Sequence, residues 1–397
     1  MALPRPAQEH NRGHDRARNQ GYNHGLDLVR SAAILLVLFS HTADWWMGAS
    51  RATEISSAYV GRIGVEAFFS LSGFLIGGIL LRTMDAGFDG PALLRFWCRR
   101  WMRTLPAYWV VIGLLCWHFG VMDWRSPVFL QNFVPRTQWA PLTPHTWSLS
   151  LEEWFYLVVP LLLMGAAALL RRPQGQVRRW AVPLVCTALV TACTLGRWSA
   201  GMAPHPVWGP EPLVNPVLRL DCAAWGLLAA WLARRRTLPA AAAWGLLGAG
   251  GAALLVLGWV WAGVFAPERL APWGFGIWGA AWAPLHPALE EMASACIVLA
   301  LHRLVPRGTR PLAWAAGGVA ALSYSLYLVH VPVLYLMRGA GMDDASDWGV
   351  RGAMVAGIAA AALALRWGVE RPVLALRERL APERRAGAAA LALAGRR

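Results

Sequence analysis

Leu26-Asp27-Leu28-Val29-Arg30-Ser31-Ala32-Ala33-Ile34-Leu35-Leu36-Val37-Leu38-Phe39-Ser40-His41-Thr42-Ala43-Asp44-Trp45-Trp46 is the first long apolar stretch of the chain, and it reads as a membrane-spanning helix. Two ionisable groups interrupt it. Arg30 and His41 are eleven residues apart; at about 100° per residue they return to nearly the same face, three turns and roughly 16 Å further along. A guanidinium and an imidazole thus look into one track. Ionisable groups in hydrocarbon are costly and mark a functional pathway by default. The competing reading is that Arg30 snorkels to the interface and His41 bonds a neighbouring helix.

The rest of the chain has the same character. Its 397 residues are 57% hydrophobic and 15% charged, with a mean hydropathy of +0.41. A soluble globule would have a charged share nearer a quarter. All 37 basic residues are arginine, which excludes lysine Schiff-base and P-loop chemistry. The six cysteines lie in or beside apolar stretches with no C-x-x-C pair, so neither a zinc site nor a disulfide framework is expected. Residues 1–25 are polar and basic, and the first span after them is expected to stay uncleaved.

Ten spans are expected, near 26–46, 63–81, 104–121, 147–170, 180–198, 215–233, 241–265, 284–302, 312–337 and 349–368. The net charge of +15 follows them. Arginines collect in alternate loops, as at Arg95, Arg99, Arg100 and Arg103 and again at Arg234, Arg235 and Arg236, as the positive-inside rule requires. The charge is therefore topological and implies no nucleic-acid partner. The reading is an all-α polytopic membrane protein of about ten transmembrane helices with both termini cytoplasmic. It has a basic tail over 1–25, a transmembrane domain over 26–370 and an Arg/Ala-rich tail over 371–397. Residues 82–103 are expected to form a short amphipathic helix, and the Trp-rich segments 122–146 and 266–283 to cap an outer mouth.

Polar groups at membrane depth carry the chemistry. Arg100 and Arg103, three apart, share a helix face at the cytoplasmic start of the third span, where a guanidinium pair suits a phosphate-bearing ligand or lipid headgroups. Glu152 and Glu153 open the fourth span from the outer side, where one serves the helix dipole and one can accept a proton or orient an imidazole. Arg219 and Asp221, two apart, point differently, so each is expected to pair with another helix. Tyr324, Tyr327 and Val331 share a face of the ninth span, and His330 reads as an interhelical hydrogen-bonding residue ahead of a second base. Gly64, Ser70, Ser72 and Gly73 permit close packing of the second span on the first, and Arg62 is the simplest partner for Glu66.

These motifs together resemble the membrane acyltransferase-3 family, over about residues 25–372. The carriers are Leu26-Asp27-x-x-Arg30 with His41; Gly64-Val65-Glu66-Ala67-Phe68-Phe69-Ser70-Leu71-Ser72-Gly73-Phe74-Leu75-Ile76; and Arg99-Arg100-x-x-Arg103-x-x-Pro106. They continue with Trp147-Ser148-Leu149-x-x-Glu152-Glu153-x-Phe155-Tyr156, Arg219-x-Asp221 with Gly226, Ser323-Tyr324-x-x-Tyr327-x-x-His330-x-Pro332, and Glu370-Arg371-Pro372. Trp154 stands where the family carries glutamine. The resemblance implies an integral O-acyltransferase of the bacterial cytoplasmic membrane. It would move an acyl group, acetyl by default, from cytoplasmic acyl-CoA to a hydroxyl of a carbohydrate or glycosylated acceptor. His41 matches the family's essential histidine, with Glu152 beside it in catalysis. Arg30, Arg100 and Arg103 form a clamp for the CoA phosphates, and Glu153, Arg219, Asp221, Tyr324 and His330 are candidates for substrate binding. No metal is implied. On this reading neutral His41 takes the acceptor's proton, or instead carries the acyl group covalently, and Glu152 orients His41 or binds the acceptor. The runner-up is a secondary transporter of a polar or anionic metabolite, which inverted repeats would favour and which none supports here.

Overall fold

The structure, a computed structural model, describes residues 23–86, 88–121, 124–133, 143–169, 180–200, 213–265, 282–305 and 310–382. Among them the regular structure is helical, with no strand. Residues 1–22 and 383–397 of the expected tails, 122–123 and 134–142 of the first outer segment and 266–281 of the second lie outside the described residues.

Helix α1 (His24–Met47) begins where the Asn23 side chain accepts the Leu26 N–H and ends at Gly48, whose φ of 79° takes the chain out of the helix. Helix α2 (Arg51–Asp85) is capped by Ser50, and α3 (Gly90–Phe119) by Asp89 with Pro91 in its first turn. The remainder are α4 (Trp147–Leu169), α5 (Ala181–Ala200), α6 (Ala224–Arg235), α7 (Ala240–Phe265), α8 (His286–Leu304), α9 (Arg310–Gly339), α10 (Trp348–Leu365) and α11 (Arg371–Leu380). A π-helical turn, Arg366–Glu370, joins the last two.

Each of the ten expected spans overlaps one of these helices. Seven stretches are long and apolar enough to cross a membrane: α1, α2, α4 with the short turn before it, α5, α7, α9 and α10 with its continuation. Helices α3, α6 and α8 fall outside that set. Residues 82–103 do not form a separate amphipathic helix. Instead α2 runs on to Asp85 and α3 starts at Gly90, fourteen residues before the expected span, because Asp89 and Pro91 supply a start signal there. The sixth segment is also revised, since residues 216–223 are turns and only Ala224–Arg235 is helical.

Helix α2 is the hub. It packs along α1, α6 and α8, while α9 lies against α1 and α10. The apolar window of α2 is 61% buried, against 11% for α7 and 22% for α10 with α11. Those last helices therefore turn apolar faces outward, Leu255 at 78% and Trp244 at 62% exposure among them. The small residues of α2 divide their contacts. A Cβ on Gly64 would come 2.7 Å from the Ala33 carbonyl of α1, whereas one on Gly73 would come 2.1 Å from the Ala223 carbonyl beside α6. Gly73 therefore packs against α6 and not α1, and its counterpart Gly226 would meet the Ser70 carbonyl at 2.0 Å. Small residues let these backbones approach within van der Waals contact.

A buried charge network fills the space around the broken sixth segment. Arg219 grips both oxygens of Glu66 at 2.9 and 3.0 Å. Arg197 grips both oxygens of Asp221 at 2.9 Å each. Arg62 meets Glu290 at 2.5 Å and stands 3.5 Å from Glu66, so the expected Arg62 partner of Glu66 is secondary to Arg219. Glu291 accepts the Trp225 N–H at 3.0 Å at the start of α6. Turns whose backbone groups are buried persist here because protein partners replace water: Arg197 donates to the Leu218 carbonyl at 2.7 Å, and Glu291 accepts the Trp225 N–H.

Candidate active site

The cavity enclosed by α2, α3, α4 and α9 has a volume of about 400 Å³. Its α2 wall is a helical stripe, Phe68, Ser72, Leu75, Ile76, Ile79 and Arg82. Four arginines border it: Arg30, Arg82, Arg100 and Arg103. Arg82 and Arg103 are exposed, and no ion pair closes on either among the described residues. Arg100 is different. Its guanidinium donates to Glu152 Oε1 at 2.9 Å and to the Tyr156 hydroxyl at 2.7 Å, and lies over the Tyr156 ring with its carbon 4.0 Å from the centroid. The Ser72 and Tyr156 hydroxyls close on the same carboxylate oxygen. Glu152 is thus held by α2, α3 and its own helix, and none of its hydrogen bonds goes to His41. Glu153, next to it, is buried and does not line the cavity.

Tyr324 and Tyr327 of α9 close the cavity. Tyr324 donates to the Thr104 carbonyl at 2.7 Å. Tyr327 donates to the His145 carbonyl at 2.5 Å and lies 2.6 Å from the Ser148 hydroxyl. Its single proton is committed to the carbonyl, so Ser148 is the donor in that second bond. Behind Tyr327 stand three imidazoles. The ring centroids of His145 and His330 are 5.0 Å apart, and those of His330 and His41 also 5.0 Å. Tyr327 lies 5.6 Å from His145 and 5.7 Å from His330. His41 therefore does not line the arginine-bordered cavity. It stands beyond its Tyr327 wall, one imidazole further in.

The expected interhelical hydrogen bond of His330 is replaced by an intrahelical one. Its Nδ1 lies 2.7 Å from the Tyr327 carbonyl and 3.1 Å from the Leu326 carbonyl of its own helix, and it meets the other segments through ring contacts. Arg219 and Asp221 pair with other helices and stand 3.9 Å from one another, in a stretch of turns within the charge network and away from the cavity lining. Three contributors escape the sequence reading. His145 sits before the Trp147 motif in a 3-10 turn (Pro144–Thr146), Arg82 stands near the end of a long helix, and Ser148 enters the sequence reading only as a motif position with no role given. Among the described residues no group of three His, Cys, Asp or Glu side chains is arranged to hold a metal ion.

The helical architecture, the motif order and this cavity define a class of membrane protein, and sequence comparison gives it a family. The family described as "Acyltransferase domain" matches residues 23–367, and the chain belongs to this acyltransferase-3 family. A putative O-acetyltransferase of Staphylococcus aureus (strain MSSA476) is 29% identical over 174 residues, covering 38% of this chain and 26% of the relative. The peptidoglycan O-acetyltransferase OatA of Listeria monocytogenes is 28% identical over 174 residues, again 38% and 26%. The putative membrane-bound transacylase BcsY of Komagataeibacter xylinus is 28% identical over 361 residues, 84% of this chain and 78% of the relative. The matched region thus spans about a quarter of the length of the O-acetyltransferases. No solved structure matches the chain.

Proposed function

We propose that this multi-pass membrane protein is an O-acyltransferase of the bacterial cytoplasmic membrane, with ten spans and both ends on the cytoplasmic side. On this reading it moves an acyl group, acetyl first, from cytoplasmic acyl-CoA to a hydroxyl of a carbohydrate or glycosylated acceptor. Family membership favours this over a transporter of anionic metabolites. The observation that carries it is one cavity bordered by four arginines, one of whose lining residues, Tyr327, is in ring contact with a histidine cluster.

The residues fit a nucleotide-tailed thioester. Arg82, Arg103 and Arg30 form a basic rim suited to phosphates, since guanidinium binds them through paired hydrogen bonds. From Arg82 to Ser72 is ten residues of α2, roughly 15 Å of helix and enough for a pantetheine arm along Ile79, Ile76 and Leu75. The volume of about 400 Å³ accommodates that arm and a short acyl group, with the nucleotide outside at the rim. Glu152, Ser72 and Tyr156 stay close to Arg100 and fix the cavity floor. A rotation of Tyr327 admits the thioester carbonyl to the imidazoles, where neutral His41 removes the acceptor's proton. General-base action of this kind contributes about 10²–10⁴ in rate.

The test is direct. Purified protein incubated with radiolabelled acetyl-CoA should release free CoA when a hydroxyl-bearing glycan acceptor is supplied. His41→Ala should abolish that release while still binding CoA. Near-normal turnover by the variant would remove His41 from catalysis, and no CoA release from any short acyl-CoA by the wild type would reject the donor.

A further inference from the structure

His330 is built as a hydrogen-bond acceptor. A carbonyl oxygen can only accept, so an Nδ1 standing 2.7 and 3.1 Å from two backbone carbonyls must carry the ring proton. Nε2 is then the bare nitrogen. It is fully buried and has no hydrogen-bond partner. Leaving such a group unsatisfied is costly unless it serves a purpose. Two imidazoles flank it, the His41 ring at 5.0 Å and tilted 55°, and the His145 ring at 5.0 Å, edge-on at 69°. The two rings are not hydrogen-bonded as they stand, but at that centroid separation a turn of the His41 ring brings one of its nitrogens to roughly 2.7–3 Å from Nε2, hydrogen-bond distance.

We propose that His330 is a positioning residue for His41: its Nε2 accepts the N–H of one His41 nitrogen and so presents the other, unprotonated, to the acceptor hydroxyl. The proposal rests on the acyl-transfer reading above. During transfer the hydroxyl oxygen bonds to the thioester carbon and the carbon–sulfur bond breaks. The hydroxyl proton passes to His41 and then to the departing thiolate, while His330 gains and loses none. Its task is to fix one tautomer of His41 and to stabilise the imidazolium while it exists. A neutral imidazole does here what a carboxylate does in a catalytic triad, without placing an anion in hydrocarbon.

Two substitutions separate this role from a packing role. An asparagine amide reproduces the Nδ1 end of the imidazole and a glutamine amide the Nε2 end. His330→Asn therefore keeps the backbone hydrogen bond and loses the acceptor, whereas His330→Gln keeps an acceptor oxygen facing His41. We expect His330→Asn to lower kcat by about 10²-fold with the acetyl-CoA KM unchanged, and His330→Gln to stay within about tenfold of wild type. Wild-type turnover in His330→Asn overturns the proposal, as does an equal loss in both variants with unchanged melting temperatures. A second readout needs no variant at His330 and no turnover. Solid-state nitrogen NMR of histidine-labelled protein should show His330 protonated at Nδ1 and bare at Nε2, and a proton on Nε2 overturns the assignment. If the wild type releases no CoA, the acyl-transfer reading fails on its own, while the NMR result still decides the tautomer.

Discussion

Arg100 and Arg103 are alike in sequence and differ in surroundings. Arg100 balances Glu152 at 2.9 Å and covers Tyr156, so its removal leaves a carboxylate unpaired beside the cavity. Arg103 and Arg82 are exposed at the rim with no ion pair among the described residues, and their donors are available to a ligand. Charged hydrogen bonds contribute about 1.5–3 kcal/mol. Arg103→Gln and Arg82→Gln should therefore each raise the acetyl-CoA KM about 10- to 100-fold with kcat little altered. Arg100→Gln should instead lower kcat and the melting temperature together, as steady-state kinetics and thermal melts in detergent would record. A pure kcat loss in Arg103→Gln would remove it from donor binding.

Where α2 crosses α6, a glycine decides how close two helices come. Gly226 faces the Ser70 carbonyl, and a Cβ there would sit 2.0 Å from that oxygen. Replacing a helical glycine by alanine gains about 1 kcal/mol of helix propensity, but overpacking costs about 1–3 kcal/mol, and no rotamer change moves a backbone carbonyl. The clash wins. Gly226→Ala should lower the melting temperature and shift α2, whose Ser72 face lines the cavity. Gly245→Ala in α7, with nothing within 4 Å of the added Cβ, should be neutral or slightly stabilising. Equal melting curves for the two variants would refute the packing argument. The spacing of small residues announces a close crossing, but only the folded chain shows that Gly64 meets α1 while Gly73 meets α6.

Buried charges meet between the helices at the centre of the described structure. Arg62, Arg197 and Arg219 face Glu66, Asp221 and Glu290 with almost no exposure. Buried pairs add little net stability over apolar substitutes, but removing one member costs about 3–5 kcal/mol because the other is stranded. Arg219→Met should therefore sharply reduce folded yield, and Glu66→Gln with Arg219→Met should recover part of it, as fluorescence-detected size exclusion would measure. No recovery would show that Arg219 serves something besides Glu66. Ion pairs also tie helix ends at the periphery, Arg338 to Asp44 at 3.0 Å and Arg234 to Asp85 at 2.7 Å.

The sequence by itself determined the helical class and the approximate place of the apolar segments, and of the residues it singled out Arg30, Arg100, Arg103, Glu152 and Tyr324 line the cavity. Hydrophobic length and arginine spacing are local properties, fixed before any two helices meet. It also pointed Arg219 and Asp221 toward partners on other helices, and the folded chain adds a 3.9 Å contact between the two. Tertiary structure decided the rest. It moved Arg219 and Asp221 into a sealed network, gave Glu152 to Arg100 rather than His41, and set His41 behind Tyr327 against His330. Those outcomes depend on which of several available helices comes to lie beside each charge, and residues such as His145 and His330, 185 positions apart in the chain, become neighbours only when the bundle closes.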